Sequence, residues 1–219
     1  MWLLFFDKKS YMKKIIFQYL GLVAALLAIV GCSDSNTPQE GKQYQQLPVN
    51  LSTYRLPAVT EVFALTCGHC RKMESVIPQL EKATGETFGK LHVTFNEGAQ
   101  IGAMIYYTAV MQLNSVPDHQ MMEALFSVVQ MGEEATSPER KKAIELVFSE
   151  RNLVSPYALD AEQQKQLLQT MMMAEEVSVK GQINSVPTFI VKGKYLVMTS
   201  GHNDADGIAN TISYLLTQP

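Results

Sequence analysis

The segment from Thr60 to Cys70 reads TEVFALTCGHC, and it decides the fold. Thr60–Thr66 is short, apolar and β-compatible, which predicts a buried strand. Directly after it, Cys67-Gly68-His69-Cys70 opens a run with apolar residues at helical spacing, which predicts a helix that is kinked at Pro78. Two cysteines three positions apart are therefore expected where a strand ends and a helix begins.

This position gives the two cysteines different chemistry. Unpaired backbone N–H groups and the helix dipole favour negative charge at a helix start, so we expect a low pKa for the Cys67 thiol and a role as nucleophile. His69 lies beside Cys67 and favours the thiolate further, by a hydrogen bond or by positive charge. Cys70 lies one turn into the helix, and we expect it to be more buried and to act as the resolving thiol.

Other proteins use such a pair differently. It can form half of a zinc site, but the chain has no second pair, and His92, His119 and His202 are scattered singly. It can form a purely structural disulfide, but closing so short a loop recovers little chain entropy. An inactive relic of a redox site is the third alternative.

A second motif precedes the last predicted strands. The segment Asn184–Phe189 reads NSVPTF, with Pro187 just before an apolar run. Because proline cannot donate to a strand ladder, Pro187 marks a special turn, and the alternative is an ordinary turn proline.

The rest of the chain completes a mixed pattern. The other predicted elements are a strand over Lys90–Phe95, a helical block over Gln100–Val179, strands over Thr188–Val191 and Lys194–Val197, and a helix over Asp204–Leu216 capped by Asp204 or Asp206. Strand, helix and strand, then helices, then a hairpin and a helix predict an α/β protein with a central sheet and a helical insertion.

Composition and charge exclude several classes of protein. The chain has 219 residues, of which 47% are hydrophobic and 18% charged, as in globular proteins and unlike disordered or collagen-like ones. The net charge is −3, so no basic excess exists to neutralise phosphates, and we expect no nucleic-acid partner. Beyond the N-terminus the apolar residues are dispersed, which excludes a polytopic membrane protein.

The N-terminus is typical of an export signal. A basic start at Met12-Lys13-Lys14 is followed by the apolar core Ile15–Val30, and both Met1 and Met12 are candidate initiation sites. The core ends in Ile29-Val30-Gly31-Cys32, which resembles a bacterial lipobox. We therefore expect residues 1–31 to be a signal peptide, Cys32 to carry lipid, and residues 32–46 to be a tether. A plain secretory signal and an anchor helix are the alternatives. Export also implies an oxidising compartment.

Taken together, the cysteine pair, the helical block, the Val-Pro-Thr-Phe motif and the hairpin resemble the thioredoxin fold, specifically the DsbA thiol:disulfide oxidoreductases. The similarity runs from Gly41-Lys42-Gln43-Tyr44 to Gly193-Lys194-Tyr195. It implies a thioredoxin-like domain in two pieces, residues 47–99 and 180–219. The helical insertion, residues 100–179, lies between them.

The resemblance also implies roles for individual residues. Cys67 matches the nucleophile and Cys70 the resolving cysteine of that family. Val186-Pro187 matches a cis pair that packs against the active-site sulfurs and contacts substrate.

Two further positions and two departures bear on the site. Glu61 matches a buried acid that transfers protons beneath the active site, and the alternative is a simple edge-strand carboxylate. Lys90 resembles the lysine near that acid. Gly68-His69 replaces the Pro-His of the best-known member and is the dipeptide of protein disulfide isomerase, while Thr66 replaces the usual aromatic residue.

These features predict a lipid-anchored oxidase that introduces disulfides into reduced or unfolded exported proteins. No metal or organic cofactor is expected beyond the Cys67–Cys70 pair. The resemblance implies a DsbB-like membrane partner that reoxidises the pair, and we expect a monomer. One alternative is a disulfide isomerase or reductase, and another is a non-enzymatic, metal-delivering lipoprotein of thioredoxin fold.

Overall fold

A computed structural model describes residues 37–132 and 134–219. The signal-peptide prediction for residues 1–31 and the lipidation prediction for Cys32 lie outside the described residues. Pro38–Pro219 forms one compact unit. Within the described ranges, the helices are all too short or too polar to span a bilayer.

The unit contains five strands and seven α-helices in the described residues. The strands are β1 Tyr44–Gln46, β2 Val59–Phe63, β3 Gly89–His92, β4 Thr188–Val191 and β5 Tyr195–Met198. The helices are α1 Gly68–Glu74, α2 Ile77–Thr84, α3 Glu97–Leu113, α4 His119–Val129, α5 Ser137–Ser149, α6 Ala161–Lys180 and α7 Ala205–Thr217. The predicted α/β class with a thioredoxin-like sheet is confirmed.

The strands form one mixed sheet in the order β1-β5-β4-β2-β3. β2 lies inside the sheet between β3 and β4 and pairs in parallel with β3 and antiparallel with β4, so Glu61 lies between Lys90 and Phe189. β2 is shorter than the predicted Thr60–Thr66 strand because the chain leaves the ladder after Phe63 and turns. This turn is closed by a hydrogen bond from Cys67 N to Ala64 O.

β1 lies inside the segment that was predicted to be a tether. It pairs antiparallel with β5, with Tyr44 opposite Val197. The compact unit begins at Pro38, so the prediction of a tether over residues 32–46 is wrong from Pro38 onward. The sequence Tyr-Gln-Gln has too little apolar character to indicate a strand. It is held instead by backbone pairing at the sheet edge and by contact of the Tyr44 ring with Tyr195 and Tyr214.

Helices cover both faces of the sheet. On one face, α2 and α7 pack on each other and enclose a core that includes Val59, Phe189 and Ile212. The other face carries the four helices α3–α6, which pack over Val62 and Ile190. These four helices span Glu97–Lys180, close to the predicted insertion at residues 100–179.

The predicted kink at Pro78 is a complete break between two helices. α1 ends at Glu74 and α2 begins at Ile77, with Pro78 in the first turn of α2. Proline is tolerated there because first-turn N–H groups have no partner within the helix. Of the two predicted caps of the last helix, Asp204 is the one observed, and its side chain accepts from Gly207 N.

Candidate active site

Cys67 is the N-cap of α1, as its position after the strand predicts. Its sulfur accepts a hydrogen bond from the backbone N–H of Cys70 at 3.2 Å, which is the bond that a capping side chain makes at a helix start. Cys67 is half-buried and Cys70 is fully buried, and both thiols are free. The site is therefore in its dithiol form, with one accessible sulfur.

The two thiols have opposite acidities. The hydrogen bond from the Cys70 thiol lowers the pKa of Cys67 to about 6, against the opposing effect of burial. The backbone N–H groups of Cys70 and His69 and the charge of His69 lower it further. Donating that hydrogen bond to Cys67, together with burial, raises the pKa of Cys70. Cys67 can therefore act as a thiolate near neutral pH while Cys70 keeps its proton.

The motif around Pro187 lies against the cysteine pair. The Val186–Pro187 bond is cis, and the Cys67 thiol donates to the Val186 carbonyl oxygen at 3.7 Å. The hydroxyl of Thr199 donates to the Pro187 carbonyl oxygen at 2.7 Å and fixes this turn to the end of β5. The structure thus brings together the two motifs that the sequence separates by more than 100 residues.

Glu61 forms a buried charge cluster with Lys90 and Glu74. The ammonium of Lys90 contacts the carboxylate of Glu61 and lies 2.7 Å from Glu74 Oε2. Each of the three side chains exposes less than 10% of its surface. Burial raises the pKa of Glu61, although the charge and hydrogen bond of Lys90 oppose the shift. One cation cannot neutralise two buried carboxylates fully, so this cluster readily holds a proton.

Glu74 was missed in the sequence reasoning. It lies four residues after Cys70 on α1, so it shares the buried face of the helix with that cysteine. That spacing was the available signal. A carboxylate one turn beyond a buried cysteine requires a buried partner, and Lys90 supplies it.

Two more side chains hold the loop between β2 and Cys67. The buried imidazole of His92 accepts from Leu65 N at its Nε2 atom (2.8 Å), while its Nδ1 atom donates to Val93 O (2.7 Å). Burial lowers the pKa of His92 to about 4, so the ring stays neutral and keeps this arrangement. The amide of Gln130, at the end of α4, donates to Leu65 O at 2.7 Å and to Cys67 O at 3.3 Å.

From the sequence, His92 was expected to be structural or exposed rather than a metal ligand, and Gln130 was not considered. No local pattern marks either residue as part of the site. Gln130 is 63 positions from Cys67 and reaches the loop only because α4 packs over it.

A groove of about 540 Å³ opens beside the cysteine pair. One wall comes from α1 and the turn after it, and the other from the Pro187 turn and the end of β5. Its lining residues are His69, Lys72, Met73, Val76, Ser185, Val186, Pro187, Met198, Thr199 and Ser200. The groove is mainly apolar and runs past the cis-proline turn, so it suits an extended peptide segment.

Comparison with known proteins agrees with this geometry. A family model described as Thioredoxin matches residues 56–212. The thiol:disulfide interchange protein DsbA of Bordetella parapertussis is 27% identical and aligns over 94% of this chain and 99% of its own. The protein of the same name from Pectobacterium carotovorum subsp. carotovorum is 25% identical over 94% of this chain and all of its own.

Solved structures show the same fold. Pseudomonas aeruginosa DsbA superposes with a TM-score of 0.62 at 19% identity, covering 83% of this chain and 94% of its own. Proteus mirabilis DsbA, in complex with the non-covalently bound peptide PWATCDS, gives a TM-score of 0.61 at 21% identity, covering 83% and 100%. The chain therefore belongs to the thioredoxin family. Within that family, it is a thiol:disulfide oxidoreductase of the DsbA type.

Proposed function

We propose that the protein is a periplasmic dithiol oxidase that introduces disulfides into exported proteins. The observation that carries this proposal is the opposite acidity of the two thiols, with the pKa of Cys67 lowered to about 6 and that of Cys70 raised. Anything that stabilises the thiolate of the reduced form makes the corresponding disulfide a stronger oxidant. The stabilised thiolate of Cys67 therefore favours transfer of the disulfide to a substrate.

The exchange proceeds through a mixed disulfide. A substrate thiolate attacks the Cys67 sulfur of the Cys67–Cys70 disulfide, forms a bond to it and releases the Cys70 sulfur, which takes up a proton. A second substrate thiolate then attacks the substrate sulfur of the mixed disulfide and releases Cys67 as a thiolate. The substrate has lost two electrons and the protein has gained them.

The buried cluster supplies the proton for the first step. Cys70 has a raised pKa and is buried, so its sulfur cannot remain ionised after it leaves. Negative charge on Glu61 raises the pKa of Cys70 further. The carboxyl group is therefore close enough to interact electrostatically with that sulfur. We assign to Glu61 the role of a proton carrier to and from Cys70, held in place by Lys90.

The groove beside Pro187 binds the substrate in this proposal. The related Proteus mirabilis protein binds a cysteine-containing peptide, and the groove here has the shape and apolar lining for such a segment. The Val186 carbonyl oxygen lies 3.7 Å from the Cys67 sulfur that the substrate thiolate attacks, so a bound segment passes beside the cis-proline turn.

Two parts of the proposal concern the cell envelope. The lipobox ending at Cys32 supports anchoring of the protein by an N-terminal lipid. Repeated turnover in the periplasm requires an electron acceptor, which we propose is a DsbB-like membrane protein that reoxidises the Cys67–Cys70 pair.

The redox potential tests the direction of the reaction. We expect a value between about −120 and −190 mV, because the site combines a DsbA-type fold with the dipeptide of protein disulfide isomerase. Equilibration of the protein with glutathione buffers, read by alkylation and mass, measures it. The same preparation should accelerate oxidative refolding of a reduced substrate protein. A potential near about −270 mV, the value of thioredoxin, would instead identify a reductase.

A further inference from the structure

We infer that the groove selects peptide segments that carry a carboxylate close to the reacting cysteine, and that Lys72 is the residue responsible. The inference rests on the proposed function, because it names the kind of substrate that the same site prefers. The charges that line the groove, rather than its shape, support it.

The described lining of the groove is apolar or neutral except at two positions. Methionine, valine and proline side chains form its floor, and three hydroxyl groups line it from Ser185 and from Thr199 and Ser200. Lys72 is its one permanently charged lining residue among the residues described, and His69 is its one other titratable residue. Neither residue can carry a negative charge, and the described lining of the groove contains no carboxylate.

Lys72 is free to act on a bound segment. It is exposed on α1, and among the described residues it forms no ion pair with a carboxylate of its own helix or of α7. Glu74 is buried against Lys90, and Asp206 accepts a hydrogen bond from Gln79 at 3.0 Å. The neighbouring Arg71 is paired with Glu123 of α4, on the side of the insertion. Within the described part of the chain, Lys72 therefore gives the groove a positive charge that no lining carboxylate balances.

The physical consequence is a preference in rate. A positive group beside an apolar groove attracts an approaching carboxylate and repels an approaching ammonium, mainly by changing the association rate. Because Lys72 and the peptide carboxylate would both be exposed to solvent, the effect on the rate is modest and decreases with salt. Methionine side chains on the floor can adapt to different apolar neighbours, so charge is the more selective feature of this groove.

Peptide oxidation measures this preference. The peptide PWATCDS has a carboxylate directly after its cysteine, and PWATCNS and PWATCKS replace that carboxylate with an amide or an ammonium group. An excess of each peptide reacts with the oxidised protein, in which two peptide thiols lose two protons and two electrons to form one peptide disulfide. The Cys67–Cys70 disulfide is reduced to two thiols. Alkylation and mass at successive times give the rate constant.

The matched variants are Lys72→Glu and Lys165→Glu. Lys165 is exposed on α6 and does not line the groove, so both changes alter the net charge equally. We expect the ratio of the PWATCDS rate to the PWATCKS rate to fall about 3- to 10-fold in Lys72→Glu and to stay unchanged in Lys165→Glu. At about 0.5 M salt both charge effects are screened, so the ratios of the wild type and of Lys72→Glu should converge.

Comparing ratios between variants removes the effect of each peptide's own thiol acidity and of any general change at Cys67. An equal ratio in the wild type and Lys72→Glu would overturn the inference, and so would an equal fall in Lys165→Glu. Either result would leave the proposed oxidase function intact. That function fails separately, if the redox potential is that of a reductase.

Discussion

At the residue scale, the ionisation of Cys67 links the chemistry of the site to pH. The fold lowers the pKa of this thiol to about 6, so the thiolate contributes stability to the reduced protein above the ordinary cysteine pKa. That contribution is lost as the pH falls through about 6. The disulfide form lacks the thiol, so its stability does not follow this titration. The potential of the pair relative to an ordinary substrate dithiol, whose thiols stay protonated, should therefore fall as the pH decreases toward about 6.

Selective alkylation tests the assignment of the two thiols. In a pulse of iodoacetamide at about pH 6.5, Cys67 of the reduced protein should react more than about tenfold faster than Cys70, because only Cys67 is ionised and accessible. Peptide mass analysis measures both rates. Cys70→Ala should move the midpoint of Cys67 alkylation to higher pH, because the Cys70 thiol is the principal hydrogen-bond donor to Cys67. Equal labelling of both cysteines would contradict the assignment.

Glu61→Gln tests proton transfer in the buried cluster. The substitution leaves Lys90 paired with Glu74, so the cluster becomes neutral and we expect the fold to persist. Without the carboxyl group, the pH profile of dithiol oxidation should change shape between about pH 5 and 9.

The control for this experiment is Glu145→Gln, which removes an exposed carboxylate that pairs with Lys141 on α5. It should leave the profile unchanged. Circular dichroism reports whether each variant keeps its fold. A Glu61→Gln profile identical to that of the wild type would make Glu61 a structural carboxylate.

At the element scale, the approach of α3 to the sheet depends on Gly102. A Cβ atom at this position would lie 2.9 Å from His92 Nε2, the atom that accepts from Leu65 N. We expect Gly102→Ala to reduce the free energy of unfolding by about 1–3 kcal/mol, because the helix or the imidazole must shift. Urea denaturation measures the change.

Gly98, one turn earlier on α3, provides the control. A Cβ atom there meets its closest neighbour at 3.5 Å, which is an ordinary contact. Gly98→Ala should therefore leave stability unchanged or raise it by up to about 1 kcal/mol. Equal losses in the two variants would mean that the contact with His92 is not the cause.

The end of α4 is coupled to the active site through Gln130. Gln130→Ala leaves Leu65 O and Cys67 O without their side-chain donor, and we expect a loss of about 1–3 kcal/mol of stability. Because the loop that carries Cys67 is then less constrained, the midpoint of Cys67 alkylation should also move. Urea denaturation and alkylation at several pH values measure the two effects.

Gln112→Ala separates stability from activity. The Gln112 amide exchanges two hydrogen bonds of 2.8 Å with the backbone of Val154, at a distance from the site along the helical insertion. Its loss should cost similar stability and leave Cys67 alkylation unchanged. A shift of the alkylation midpoint in both variants would show that global stability, rather than Gln130, controls the thiol.

At the scale of the whole molecule, the lipobox prediction concerns how the protein is attached to the membrane. We expect the native protein to carry lipid on Cys32, to enter the detergent phase in phase partition, and to lose both properties in Cys32→Ala. Intact mass detects the lipid directly. Cys67→Ala is the control, since it removes a cysteine of the folded unit and should leave partition unchanged. A Cys32→Ala protein that remained equally membrane-bound would indicate an uncleaved anchor helix.

The sequence by itself determined four of the five strands, the site motif and the class of chemistry. The strand before Cys67 and the strand after Pro187 are visible because their side chains alternate between apolar packing surfaces. The helix start at Cys67 follows from local geometry alone, and so does the difference in burial and in thiol pKa between Cys67 and Cys70. These properties depend on residues within one turn of each other, which is the range over which sequence patterns carry information.

The tertiary structure decided what depends on contacts between distant segments. The strand Tyr44–Gln46 exists because an edge of the sheet is available to pair with it, and its own composition gives no sign of this. Gln130 and His92 reach the active-site loop because helix packing and strand pairing bring them there. Glu74 on α1 meets Lys90 on β3 for the same reason. Packing a chain into a core fixes such pairs by the geometry of whole elements, and no local pattern of residues records that geometry.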